Sequence, residues 1–246
     1  MADSDQPQHR LADIITAENG AEGDCGTQLA IKTKLLGCGI APAGWGGARQ
    51  RAVPASHHLT LKQCEGVLAA VETSGTIKAP FNRHWTVHYQ AAGVAEVEAV
   101  KFIGRLLKLA GDYARRHGEK FAAVWVRENG EGKGGHVHIL LHLPARLSLR
   151  GRTRRWVRLA GGTCRKRVSY CRSIGGSLRA ADSGGERYSL NKAKIGAYVV
   201  KGTDPAAGEA LALTRSGEGG RIVGKRCGWT QNIGAAARAR ASGSKH

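Results

Sequence analysis

The sequence predicts an α+β fold, with helices packed on one face of an antiparallel sheet. Three observations carry this. Residues 83–90 alternate strictly, with Trp85, Val87 and Tyr89 on one side and His84, Thr86 and His88 on the other, which is the period of a half-buried strand. Between Val94 and His117 the apolar positions Val97, Val100, Ile103, Leu107 and Ala110 recur at three and four, with charges between them, which is an amphipathic helix. Two further apolar runs, 121–127 and 136–143, are joined by Asn129-Gly130 and more glycines, the composition of a hairpin, and Pro144 ends the second. Beyond it, 147–160 is predicted helical and 168–174 a fourth strand. A last helix is expected over 189–201, with Ser189 as its cap and Gly202 as its stop. Strand, helix, strand, strand, helix, strand, helix is the order of an α+β sandwich.

The flanks read differently. Residues 1–78 mix Gly, Ala, Ser, Thr and Pro with weak periodicity, so a poorly ordered leader is expected there, carrying a short helix near 61–71 and no catalytic motif. Residues 206–246 read as a basic C-terminal tail. At 41 % hydrophobic the 246-residue chain can still bury a core. The six cysteines show no C-x-x-C pair or zinc-ligand spacing, which favours reduced, partly buried thiols. Asp3 and Asp5 stand where a signal peptide would be positive, and no apolar run approaches a membrane span. A cytoplasmic protein with no membrane partner is expected.

Charge narrows the function. Residues 1–60 carry net −1, whereas 61–246 hold 33 basic against 13 acidic groups, net +20. A body this basic repels itself unless it meets a polyanion, and nucleic acid is the default partner. The density peaks in 146–187, with twelve Arg/Lys against Asp182 and Glu186 and with Trp156 and Tyr170 interleaved. Arg152, Arg154, Arg155, Arg165, Lys166 and Arg167 are the expected phosphate contacts, of a kind that gives salt-dependent affinity with little sequence information. No G-x-x-x-x-G-K-[ST] occurs, which excludes a recognisable P-loop motor.

The candidate chemistry lies in His136-Val137-His138. On a strand the two imidazoles share a face one pleat repeat apart and can chelate one divalent ion, and Glu128, across the glycine hairpin, supplies a third ligand. His142 shares that face but stands about 13 Å along the strand, so it is read as structural. His88 lines the site if its strand neighbours 136–143. In the last predicted helix, Lys194 (i−4) and Lys201 (i+3) share a face with Tyr198. Flanking ammonium groups would favour the phenolate and steady a developing phosphate charge.

An H-x-H pair on a strand, followed after some sixty residues by Tyr198-x-x-Lys201 on a helix, resembles the HUH endonucleases, and in particular their single-tyrosine rolling-circle replication initiators. The resemblance covers residues 79–205, and Glu128 matches the third ligand that often precedes the pair by a hairpin. It implies a four- or five-stranded antiparallel sheet of the RRM/ferredoxin-like kind. It also implies Mn²⁺ or Mg²⁺ held by Glu128, His136 and His138, and Tyr198 as nucleophile with Lys201 assisting, Lys194 and His88 being accessory. The substrate implied is single-stranded or hairpin DNA at a replication origin, with host helicase and polymerase as partners. A relaxase, though three clustered histidines are not evident, or a single-tyrosine transposase shares this chemistry. Tyr188, ten residues before Tyr198, misses the spacing of a dual-tyrosine helix. A non-catalytic RRM-like binder, whose cue would be exposed aromatics on the central strands, is the competing class.

Overall fold

The computed structural model describes residues 54–243. In chain order these form β1 (Ala55–Ser56), α1 (Leu61–Thr76), β2 (Arg83–Val87), α2 (Ala99–Arg116), β3 (Ala122–Gly130), β4 (Gly134–His142), α3 (Arg152–Leu159) and β5 (Ser169–Ser173). There follow α4 (Ala180–Ser183), α5 (Glu186–Val199), α6 (Pro205–Ala210), β6 (Ile222–Val223), β7 (Cys227–Trp229) and α7 (Ala235–Gly243). The expected α+β architecture is present: five antiparallel strands in the order β5-β2-β4-β3-β7.

Alternation sorts the strands into two faces. One carries Trp85, Val87, Ala123, Trp125, Val137, Ile139 and Leu141 and packs under α2 and α3 through Phe102, Ile103, Leu106, Trp156 and Val157. The opposite face is apolar over part of its width. Ala122, Val124, Val126 and Leu140 point that way, and α1 and α5 cover them with Val67, Ala70, Val71 and Val199. β3 and β4 are apolar on both sides, so helices are needed on both faces to remove them from water. At the Glu128 end this second face turns polar.

In α2 the buried stripe is Ala99, Phe102, Ile103, Leu106, Ala110, Tyr113 and Ala114. It is rotated from the expected one. Val97 lies outside the helix, in a short 3₁₀ turn, and is 69 % exposed. The hairpin turn falls later than Asn129-Gly130. Those residues still pair, Gly130 with Gly134, and Glu131-Gly132-Lys133 make the connection, with Gly132 and Gly134 at positive φ. α5 begins three residues before Ser189, with Gly185 at its N-cap. Tyr188 is buried there and donates to the Phe81 carbonyl at 2.8 Å, which ties the first turn to the core. Gly202 serves close packing rather than helix termination: a Cβ there would stand 3.0 Å from Gly219 Cα.

Both flanks require correction. Of the supposed leader, residues 1–53, with Cys25 and Cys38, lie outside the described residues. Residues 54–78 belong to the fold. The expected helix near 61–71 extends over Leu61–Thr76, starts from a Thr60–Gln63 capping box and packs Cys64, Val67, Ala70 and Val71 inward. The supposed tail supplies the fifth strand, β7 pairing with β3 from Val126↔Cys227 to Val124↔Trp229. Two fully buried guanidiniums pin this segment. Arg127 pairs with Glu96 and donates to the Val223 and Lys225 carbonyls at 3.0 Å each. Arg226 donates to Ser56, to Gly220 and to Gly219. Desolvated arginines persist when carbonyls fill their donor positions, which is how a basic sequence enters a core. The four described cysteines are free, Cys64 and Cys227 buried and Cys164 and Cys171 partly so.

A candidate metal centre beside a tyrosine helix

Register builds the site. Glu128 lies directly across from His136, and His138 across from both Val126 on β3 and Thr86 on β2. Glu128, His136 and His138 are buried, and one potential ligand atom from each lies within 4.8 Å of the others. Glu128 Oε2 stands 3.5 Å from His136 Nε2 and 3.7 Å from His138 Nε2.

The outer contacts orient both rings. His136 Nδ1 donates to the Gly134 carbonyl at 2.8 Å. A carbonyl can only accept, so the proton sits on Nδ1 and Nε2 keeps its lone pair for the site. His138 Nδ1 is engaged by Thr86 Oγ1 at 3.1 Å and His84 Nε2 at 3.0 Å. Its Nε2 is buried and has no hydrogen-bond partner. An orphaned buried nitrogen costs about 1–3 kcal/mol unless something binds it. Two imidazole nitrogens, one of them orphaned, and a carboxylate form a group that could hold a metal ion.

Electrostatics agrees. Burial is the largest influence on Glu128 and pushes its carboxyl up, but His136, His138 and the Lys201 charge together outweigh it and hold the group well below the usual carboxylate range. Lys201 Nζ lies 2.5 Å from both carboxylate oxygens. Burial, then the facing His138, pushes the His84 imidazole down to about 3. Burial lowers His138 too, against the pull of Glu128. That direction favours the neutral form of His138, the state a metal ligand requires.

Tyr198 is placed beside this group by α5. Its ring centroid is 5.2 Å from that of His138 and 6.0 Å from that of His84, and the Lys201 ammonium sits 4.1 Å over its ring. The side chain is 39 % exposed. The expected lysine effect on the phenol is overturned. Burial and then the Glu128 charge push its pKa up, against Lys133. Lys201 turns onto the carboxylate and the ring face, and Lys194 is an exposed lysine lining the clefts that Tyr198 borders.

The remaining candidates separate. The His88 ring stacks on His136 at 5.1 Å, so it lines the site, and burial lowers its pKa. His142 Nδ1 contacts the Pro80 carbonyl at 2.8 Å, a structural role as read. Arg154 borders a cleft along β5, Arg152 stacks on Tyr113 at 4.2 Å, and Arg155, Arg165, Lys166 and Arg167 are exposed. His84 and Thr86 were missed as partners of His138. Their signal was available: both alternate onto the His88 face of β2, but which strand neighbours β4 is not written in the sequence. A third histidine does therefore reach the pair, through Nδ1 of His138. The segment 57–64 was missed as well. Leu59 exchanges hydrogen bonds with Gly202 and Asp204, Thr203 Oγ1 donates to the Leu59 carbonyl, and Cys64 Sγ donates to Thr203 Oγ1, so this segment clamps the chain just past Lys201.

No family model, curated protein or solved structure matches the chain.

Proposed function

We propose that the protein is a divalent-metal-dependent nuclease and strand-transferase of the HUH kind that nicks single-stranded DNA and starts rolling-circle replication. The single observation that carries this is the orphaned Nε2 of His138, facing Glu128 and His136 with the Tyr198 ring beside it. The β-α-β-β-α-β run from β2 to β5, with strand order β5-β2-β4-β3, supports the RRM/ferredoxin-like core that the resemblance implies.

Glu128, His136 and His138 would hold the ion, with Mn²⁺ favoured over Mg²⁺ by the imidazoles. When bound it polarises the scissile phosphate as a Lewis acid. Tyr198 Oη attacks phosphorus: a Tyr O–P bond forms, the P–O3′ bond breaks, and the 3′ oxygen leaves as a hydroxyl. The 5′-phosphotyrosine retains the ester, so the free 3′-OH can later reverse the step without ATP. The raised phenol is not ionised beforehand, so its proton must leave as attack proceeds. Lys201, on the Glu128 oxygens and over the Tyr198 ring, orients both groups and supplies positive charge near the phosphate.

The test is a covalent adduct. Wild-type protein with Mn²⁺ and labelled single-stranded DNA carrying the replicon's origin should give a protein–DNA species stable in denaturing gels. Tyr198→Phe should abolish it while leaving DNA affinity within about twofold. An adduct that survives Tyr198→Phe removes that residue from its role.

A further inference from the structure

Beyond the metal ligands, one exposed aromatic sits where two clefts meet. Tyr170 lies on β5, the edge strand, opposite Thr86, so its side chain shares the face of His84, Thr86 and His138. It is 43 % exposed and 6.0 Å from the His88 ring. With Arg172, also on β5, it borders a cavity of about 320 Å³ that His138 and Tyr198 share. The same two residues border a larger cleft of about 910 Å³ on the other side of the β5 edge, whose rim carries Arg150 and Arg154.

The edge itself offers donors. His88 donates to the Val168 carbonyl and Ile174 to the Asn82 carbonyl, which sets the exchanged pairs at 88–168, 86–170, 84–172 and 82–174. The backbone N–H groups of Ser169, Cys171 and Ser173 therefore turn away from β2, toward the large cleft. A scattered surface tyrosine needs no explanation. This one separates the candidate nucleophile's cavity from an arginine-rimmed groove, with unpaired N–H groups between them.

We infer that a single strand of DNA runs from the metal centre over the β5 edge, one base stacked on Tyr170 and its phosphates following Arg172, Arg150 and Arg154. The inference rests on the proposed reading for the identity of the strand. Stacking on an aromatic face tolerates any base, while arginines and edge N–H groups track the backbone, the two components of a single-strand channel. The path assigns Tyr170 a positioning role: it holds the nucleotide beside the phosphate that Tyr198 faces.

The experiment is fluorescence anisotropy with fluorescein-labelled dT12 in EDTA, where no cleavage occurs. Tyr170→Ala should weaken binding on the order of ten- to a hundredfold, the loss of one base stack, with the salt dependence unchanged. Tyr170→Phe should restore wild-type affinity. Arg150→Gln with Arg154→Gln should flatten the log–log salt slope by about 1.4, as two lost single-strand phosphate contacts would. Arg116→Gln, exposed on α2 across the sheet, gives the background. Wild-type affinity in Tyr170→Ala, a Tyr170→Phe as weak as the alanine variant, or a double-arginine slope no different from that of Arg116→Gln overturns the path. Adduct formation, assayed separately, keeps the two proposals apart. A dT12 affinity that falls with Tyr170→Ala in a protein forming no adduct preserves the path and removes the nicking reaction.

Discussion

Saturating Mn²⁺ should raise the melting temperature by roughly 5–10 °C, and His138→Ala should erase that shift while costing the metal-free protein less than an ordinary buried truncation. A ligand at a hundred times its Kd adds about 2.7 kcal/mol to the folded state. For a domain of this size each kcal/mol moves the midpoint by about 2–4 °C. The reduced metal-free cost follows from the geometry. Truncating a buried side chain ordinarily loses about 2–5 kcal/mol. Here it also removes an unsatisfied nitrogen worth about 1–3 kcal/mol in the opposite sense. Thr86 Oγ1 and His84 Nε2, which both lean on His138, stand 3.3 Å from each other and remain partnered. His142→Ala is the contrast: it orphans the Pro80 carbonyl with no compensating relief, and should cost more in EDTA. The assay is thermal unfolding by circular dichroism in EDTA and in MnCl2. A full Mn²⁺ shift in His138→Ala, no shift in the wild type at millimolar Mn²⁺, or equal losses for the two alanine variants in EDTA would overturn the assignment.

Further outcomes follow from the same geometry. His84, His138 and His142 all have imidazole pKa values lowered, burial first, so below about pH 6.5 the unfolded chain binds more protons than the folded one. Stability should therefore hold above that value and fall as pH drops toward the folded values, and His142→Gln should flatten the profile in urea titrations between pH 7.5 and 5. Gly220 sits at φ +72° with a would-be Cβ 1.8 Å from the Asn129 carbonyl oxygen, so Gly220→Ala must displace the backbone holding Arg226. A loss above about 2 kcal/mol in chemical denaturation is expected. Deleting residues 221–246 removes β7 and bares the edge of β3 with Trp125. It should abolish cooperative unfolding or leave the protein insoluble, and a truncated protein that melts like the full chain would restore the tail reading.

Local patterning in the chain encodes the periodic elements. Alternation in 83–90, the three-and-four spacing of the helix that follows, and the glycine hairpin each encode a local geometry. The candidate metal trio was legible for the same reason, since a two-residue repeat and one hairpin bring Glu128, His136 and His138 together without knowledge of the remaining fold. Long-range pairing was not legible. β7 is three residues with little strand signal, and it joins β3 because the apolar edge of Val124 and Val126 needs cover. Arg127 and Arg226 look like surface charges until the carbonyls that receive them are folded around them. Only the tertiary structure placed β2 against β4, giving His138 its partners His84 and Thr86. Only it turned Lys201 onto Glu128 and buried the Tyr198 phenol beside the Glu128 charge, and burial first, then that charge, raises the phenol where the sequence led to the opposite expectation. A side chain's ionisation depends on every charge and every lost water around it, and neighbours distant in sequence supply most of both.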